Sequence, residues 1–485
     1  MISNDRHVHL CTGDIRESDK NTYTILTGKN GTGKTSLLSV ICECFSCIEW
    51  NGKLRKSGAR GVFENGNVQI SYIDNNQERI MTFDDGIFAG DNSITIGSNT
   101  NVISHDGKVI SVSCSPFDKL PVEVKVTEKL RVIKKSNLYR YLGQKSSSLY
   151  QPGNGNVFKL LELFMENFSI QQKRNQIKNM LEFIGYAPYI EANFKIRFKN
   201  LFLIAGDISK IAIINNVKRH SGYAVNQLLN DIEHEGVAEA ISDAIRDVSV
   251  LISKSPGKIT VNIDFADDEY LIDLTSLLNS LHVLRKYGII SFSEVNLFRY
   301  LDKNVEKIEI RSVSSGEMSI FIMFLGISCV ISDNSVIVID EPEIGLHPEW
   351  QERFIELLMS AFSSYMSCHF IIATHSPQIV SNVDQFRGTI VNMETLEVHD
   401  SSRFFERSAD FQLANLFGAP GFRNEFLTRI SLAVLKEYGK MNYTSDEVKA
   451  NVAILSRVYP RLSEKDPVFD IVKFILENNR ENNDR

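Results

Sequence analysis

The stretch GKNGTGKT, Gly28 to Thr35, constrains this chain more than any other. It follows the apolar run YTIL and precedes SLLSVICECF, so the pattern predicts a strand, a tight glycine-bearing turn and a helix. In that context G-x-x-x-x-G-K-[ST] is a phosphate-binding loop. The glycines let the backbone curl until successive N–H groups converge on one phosphate chain, and the helix N-terminus adds partial positive charge there. Gly28, Asn30, Gly31, Gly33 and Ser36 are therefore expected nucleotide-binding positions. Lys34 is expected to meet the outer phosphates, and Thr35 to hold Mg2+ beside ATP. The implied fold class is α/β.

A second stretch supplies acids. VIVIDEPEIGLHPEWQ, from Val336, reads as an apolar strand ending in Asp340 and Glu341. Two acids after a strand are common, but opposite a phosphate loop they carry specific chemistry. Asp340 is expected to hold the metal, and Glu341 to polarise the water that attacks the γ-phosphate. FIIATHSP places His375 at the end of another strand, within reach of the same phosphate. His347, in the LHPEWQ turn, is read as structural or as a subunit contact.

A third stretch, RSVSSGEMSIF, has two readings. Ser314 and Glu317 have the S-x-x-E spacing of a capping box in front of an apolar helix. The same cluster, Ser314, Ser315, Gly316 and Glu317, also presents small polar groups at a helix N-terminus, where a phosphate binds well.

The rest of the chain is divided from composition and periodicity. Residues 1–150 read as a strand-rich ATPase lobe carrying the phosphate loop, and 151–285 as a mainly helical insertion. Residues 286–385 read as a second ATPase lobe, and 386–485 as a helical C-terminal region. A formal net charge of −7 over 485 residues argues against a surface coated throughout by nucleic acid, while leaving room for a local basic groove. Two such clusters are Lys53, Arg55, Lys56 and Arg60, and Lys129, Arg131, Lys134, Lys135 and Arg140. Each is either a solvated face or a phosphate contact. Seven scattered cysteines fit free thiols in a reducing compartment. Cys42, Cys44 and Cys47 cluster without a fourth ligand at zinc spacing and are read as small residues of a packed helix. With no apolar leader and no spanning segment, a cytoplasmic protein without a membrane partner is expected.

Taken in order, the phosphate loop, the SSGE cluster, the Asp-Glu strand, the LHP turn and the histidine resemble the ABC-class ATPases of the SMC/Rad50-like group. The resemblance implies a P-loop ABC-type head, a mixed sheet flanked by helices and split by an insertion. It also implies that VSSGE is the signature motif, with Ser314 and Gly316 meeting the γ-phosphate bound to a second copy in a head-to-head homodimer or higher oligomer. Ser315 and Glu317 depart from the usual L-S-G-G-Q form. The family's coupling glutamine has no clear counterpart; Asp118 and Gln144 are the candidates. The segments SPFDKLP, EPEIGLHPEWQ and SADFQLANLFGAPGFRNEF are most similar to the PtuA family, ATPases of Septu and retron-associated anti-phage defence. That likeness implies an HNH nuclease partner of the PtuB kind, and a reverse transcriptase with its msDNA. Alternatives are a RecF- or Rad50-like repair ATPase that binds DNA directly, and an overcoming-lysogenization-defect type ATPase lacking its Toprim nuclease. Beyond Ser376 the chain has no Asp-x-Asp pair, which a Toprim centre requires.

Overall fold

Val336–Asp340 and His369–Ala373 are apolar along almost their whole length, the pattern of strands buried on both faces. A computed structural model describes residues 7–10, 20–46, 68–74, 77–84, 87–91, 107–115, 118–121, 126–127, 133–134, 138–143, 161, 164–165, 170–204, 208–220, 222–252, 257–301, 304–383, 388–440 and 445–483. Gln144, the first basic cluster and Cys47 lie outside them, as do Lys129, Arg131 and Lys135 of the second cluster. The chain divides into two compact units, Met1–Gly143 with Ser332–Arg485, and Gln144–Ile331.

The first unit begins with β1 (Thr22–Thr27), the glycine-rich loop and α1 (Lys34–Ser46). Cys42 and Cys44 are buried on this helix. Three antiparallel strands follow: β2 (Val68–Asp74), β3 (Gln77–Asp84) and β4 (Ile87–Asp91). Then come β5 (Val109–Ser113), a two-residue pair formed by β6 (Val126–Thr127) and β7 (Ile133–Lys134), and β8 (Tyr139–Leu142).

The second unit runs through α2 (Gln171–Phe183), β9 (Tyr189–Ile196), α3 (Lys210–Val217), α4 (Tyr223–Asp231) and α5 (Val237–Ile252). It continues with β10 (Lys258–Asp264), α6 (Asp268–Lys286), β11 (Ile290–Leu301), β12 (Asn304–Glu309) and α7 (Ser315–Val330). Its helices are joined by a four-stranded antiparallel sheet in the order β10-β9-β11-β12. One face of that sheet is apolar: Ile190, Phe194, Ile259, Val261 and Val295 are buried. α7 is apolar all round, as a helix enclosed by protein must be. Burial of Phe321 and Phe324 there contributes about 1.5–3 kcal/mol each.

The chain then returns to the first unit with β13 (Val336–Asp340), α8 (Pro348–Ala361), β14 (His369–Ala373), α9 (Pro377–Ser381), β15 (Gly388–Asn392) and β16 (Val398–Asp400). Four helices end it: α10 (Ala409–Asn415), α11 (Glu425–Gly439), α12 (Asp446–Val458) and α13 (Phe469–Asn483). They close round their own core, which includes Leu427, Val434, Leu455 and Val472.

The seven strands of the main sheet lie in the order β16-β15-β1-β14-β13-β5-β8. Every neighbouring pair is parallel except β15 with β16, so the sheet is mixed only at one edge. In register, Leu26 and Asp340 both stand opposite Ala373. The carboxyl ends of β1, β14 and β13 are therefore level, and their loops leave the sheet together. In open parallel sheets ligands bind outside that edge. Among the described residues, no helix is long and apolar enough to cross a membrane.

Candidate functional site

The loop between β1 and α1 has positive φ at Gly28, Gly31 and Gly33. At Gly31 and Gly33 the values are 84° and 98°, a region that L side chains rarely adopt. Leu37 N–H donates to the Gly33 carbonyl at 2.8 Å, which starts the helix directly under the loop. Asn30 and Gly31 form an exposed crest, whereas Lys34 is buried. Its Nζ donates to the Gly28 carbonyl at 2.7 Å and the Lys29 carbonyl at 3.1 Å, folding the ammonium into the hollow of the loop. Burial pulls its pKa down to about 8, against the attraction of Glu341, Asp340, Glu343 and Glu394.

Two strands away, Asp340 ends β13. Thr35 Oγ1 donates to its Oδ1 at 3.1 Å, which joins the end of the loop to the acid predicted to stand opposite it. Burial pushes the Asp340 carboxyl up to about 7; the Thr35 hydrogen bond opposes this, and Glu341, Asp118 and Glu343 reinforce it. Glu341 follows with φ 51°, an uncommon conformation for a residue with a side chain, and its N–H donates to the Ala373 carbonyl at 2.9 Å. Its carboxylate lies 4.0 Å from His375 Nε2. Burial and the charge on Lys34 hold the His375 pKa at about 4, so at neutral pH this is a contact between a carboxylate and a neutral ring.

Thus the structure brings Lys34, Thr35, Asp340, Glu341 and His375 to one sheet edge. Asp118 is buried in the same unit and accepts hydrogen bonds from Tyr141 Oη at 2.8 Å and Leu120 N–H at 2.9 Å. These bonds tie the segment after β5 to β8. His347 is the N-cap of α8, its Nδ1 accepting from Glu349 N–H at 3.4 Å.

The SSGE cluster belongs to the second unit. The capping box is present: Ser314 Oγ accepts from Glu317 N–H at 3.3 Å, and the Glu317 carboxylate accepts from Ser314 N–H at 3.0 Å. Arg299 pairs with the same carboxylate. Those hydrogen bonds and Arg299 hold the Glu317 pKa down, against the effect of its burial. Gly316 and Glu317 are buried while Ser314 and Ser315 remain exposed.

Comparison with known proteins adds to this geometry. Residues 167–381 match the family model described as "AAA domain, putative AbiEii toxin, Type IV TA system", a span that takes in SSGE, the acids and His375 but begins after the phosphate loop. The "Retron Vc95 probable ATPase" of Vibrio cholerae serotype O1 biovar El Tor is 22% identical over 400 residues, covering 77% of this chain and 70% of that protein. The "Retron Ec83 probable ATPase" of Escherichia coli is 32% identical over 95 residues, 17% of each. The chain is an ATPase. A solved Smc head domain with an extended coiled coil, bound to the C-terminal domain of ScpA and derived from Pyrococcus furiosus, aligns over 79% of this chain and 89% of its own. There the TM-score is 0.30 and the identity 12%.

Three residues of the site escape a motif reading. Glu343 is two places past Glu341, and its carboxylate accepts from Thr374 Oγ1 at 2.9 Å and His375 N–H at 2.5 Å. It fixes the loop that carries the histidine. Gln351 accepts from Ser376 Oγ at 2.7 Å and donates to the Leu346 carbonyl at 3.0 Å, tying α8 to both turns. Glu394 accepts from Lys29 N–H at 3.1 Å, bracing the start of the phosphate loop, and lies 3.5 Å from Arg461. Only the E-P-E spacing hinted at the first; the others depend on long-range folding.

Replacing Glu343 by Ala leaves two partly buried donors, Thr374 Oγ1 and His375 N–H, without this acceptor, at a cost of up to about 1–3 kcal/mol each. Glu343→Gln keeps one carbonyl oxygen and is expected to lose less. Chemical denaturation of the two variants checks this, and equal stability for both would contradict the role given to Glu343.

Proposed function

We propose that this chain is the ATP-hydrolysing regulator of a retron-associated anti-phage system, of the kind represented by PtuA in Septu defence. Two copies close head to head around ATP and control a partner HNH nuclease. The observation that carries the nucleotide chemistry is the Thr35 hydroxyl held 3.1 Å from Asp340, with Glu341 next in the chain and beside His375.

The donor set fits magnesium. A hydroxyl and a carboxylate are hard oxygen ligands, and Asp118, Asp340, Glu341 and Glu343 crowd negative charge that a divalent cation would offset. Thr35 and Asp340 would hold the ion; when bound it would neutralise charge on the transferring phosphate. Lys34 exchanges its loop carbonyls for phosphate oxygens, and the loop N–H groups orient the chain of phosphates. Glu341 takes a proton from the attacking water as the bond to the γ-phosphate forms and the bond to ADP breaks. His375, neutral at physiological pH, positions that water or the phosphate.

Support for the paired reading is the exposed N-terminus of α7, where Ser314 and Ser315 face solvent above a buried Gly316. Such an end accepts a phosphate. Ser314→Arg is therefore expected to keep ATP binding but to lose most turnover. Mixing it with Lys34→Ala protein should restore hydrolysis, because mixed pairs retain one complete site. A mixture as inactive as its components would contradict sharing between copies.

The retron link is supported by the two retron ATPase relatives, and the nuclease reading by the likeness of SPFDKLP, EPEIGLHPEWQ and SADFQLANLFGAPGFRNEF to the PtuA family. Co-expression with an HNH nuclease of the PtuB kind is expected to yield a complex whose DNA cleavage depends on the ATP site. Plasmid cleavage by the purified chain alone would overturn this.

A further inference from the structure

Positive charge gathers at one end of the sheet in the second unit. Lys195 is the next-to-last residue of β9, and Arg197 and Lys199 follow the strand, all exposed. β10 begins with exposed Lys258, which stands directly across from Lys195 in the ladder. Lys286 ends α6 at the start of β11, and Lys218 and Arg219 follow α3; these three are exposed as well.

Contacts bind these segments to one another. His220 meets the Phe198 ring at 4.8 Å between centroids, and the Arg197 guanidinium lies 5.8 Å over the same ring. A Cβ at Gly288 would stand 3.4 Å from Arg197 Nη1, and one at Gly257 would stand 3.1 Å from Lys199 Nζ. Among the described residues the cations of this end have one carboxylate at ion-pair distance, Glu294, 3.7 Å from Lys258. The opposite end of the same sheet carries Asp264, Asp267 and Glu269. Lys307 and Arg299 also stand at that end, but each is paired with a carboxylate, Glu191 and Glu317, so among the described residues the cations with few carboxylate partners collect at the first end.

Helix ends explain part of this. Cations at the last turn of α6 and just after α3 complement the helix dipoles. Lys195, Arg197 and Lys258 have no such reason, and like charges placed directly opposite in a ladder are destabilising. We propose that this end of the sheet binds the phosphate backbone of a nucleic acid. Lys195 lies on β9 and Arg197 just past its end; at strand rise two residues span about 6.6 Å, a spacing suited to neighbouring phosphates on one nucleic-acid strand. Binding by such a surface is set by charge and carries little sequence preference.

The test uses the full-length protein with labelled duplex DNA, single-stranded DNA and RNA of matched length, followed by fluorescence anisotropy over a range of salt. Binding to at least one of them should weaken with salt, with a log–log slope of roughly −4 to −6 for five to seven cations. The double variant Lys195→Gln/Lys258→Gln should lower affinity about tenfold or more and reduce the slope by roughly 1.5–2. Its thermal midpoint should stay level or rise, because a repulsive pair is removed, and its ATP turnover without nucleic acid should match the parent. No salt-dependent binding to any of the three, or the same affinity and slope in the double variant, would overturn the proposal. So would binding to phosphatidylserine vesicles in place of all three nucleic acids, given the exposed Leu203 and Ile211 in the same unit.

Discussion

Lys34→Ala is expected to lower ATP affinity roughly a hundred-fold or more, as the loss of charge-assisted hydrogen bonds at about 1.5–3 kcal/mol each implies. The free protein already holds the lysine in place. There the ammonium is buried and donates to the Gly28 and Lys29 carbonyls, and burial has pulled its pKa to about 8. A phosphate chain in the hollow would give this cation better acceptors and restore its full charge. Without it, the loop has only backbone N–H groups and the dipole of α1 to oppose several phosphate charges. The fold should survive, because α1 is held by Leu38, Ile41 and Phe45 in the core rather than by the lysine. Isothermal titration with ATP and Mg2+ checks the prediction; affinity equal to the parent would remove the loop from the nucleotide site.

Glu341→Gln should bind ATP as well as the parent and hydrolyse it about 10²–10⁴ times more slowly, the usual contribution of a positioned general base. An amide keeps the volume of the carboxylate and can hold the positive φ that turns this residue out of the sheet edge. What it cannot do is accept the proton of the attacking water. Asp340, one residue earlier, is no substitute, since its carboxylate is engaged by Thr35. Quenched-flow release of phosphate measures the step. A rate within a few-fold of the parent would move the base elsewhere, His375 being next in line.

Much of this candidate site is legible in the sequence, for specific reasons. A phosphate loop requires glycine at positions of positive φ and a lysine at fixed distance, so its spacing survives as a pattern. β13 and β14 are short apolar runs with polar tips, and a buried parallel strand leaves few other options. The sheet order was not legible. That β14 lies between β1 and β13 depends on pairings such as Thr22 with His369, separated by most of the chain.

The insertion shows a different limit. Residues 151–285 read as mainly helical, and α4, α5 and α6 are there, but β9 lies among them and pairs with β10 and β11. Its sequence, YIEANFKI, alternates, yet one face carries Glu191, Asn193 and Lys195, which weakens a strand signal between stronger helical ones. Glu394 and Arg461 had no local signal at all, because each acts on a segment distant in sequence. The capping box at Ser314 was legible as a cap because its S-x-x-E spacing is local.

The most direct measurement is the nucleotide content and mass of purified Glu341→Gln after incubation with Mg2+ and ATP, read by denaturing chromatography and sedimentation. Retained ATP rather than ADP is expected, in a species of twice the monomer mass that disperses when Lys34 is also replaced by Ala. A monomer with no bound nucleotide, or ADP formed at the rate of the parent protein, would contradict it.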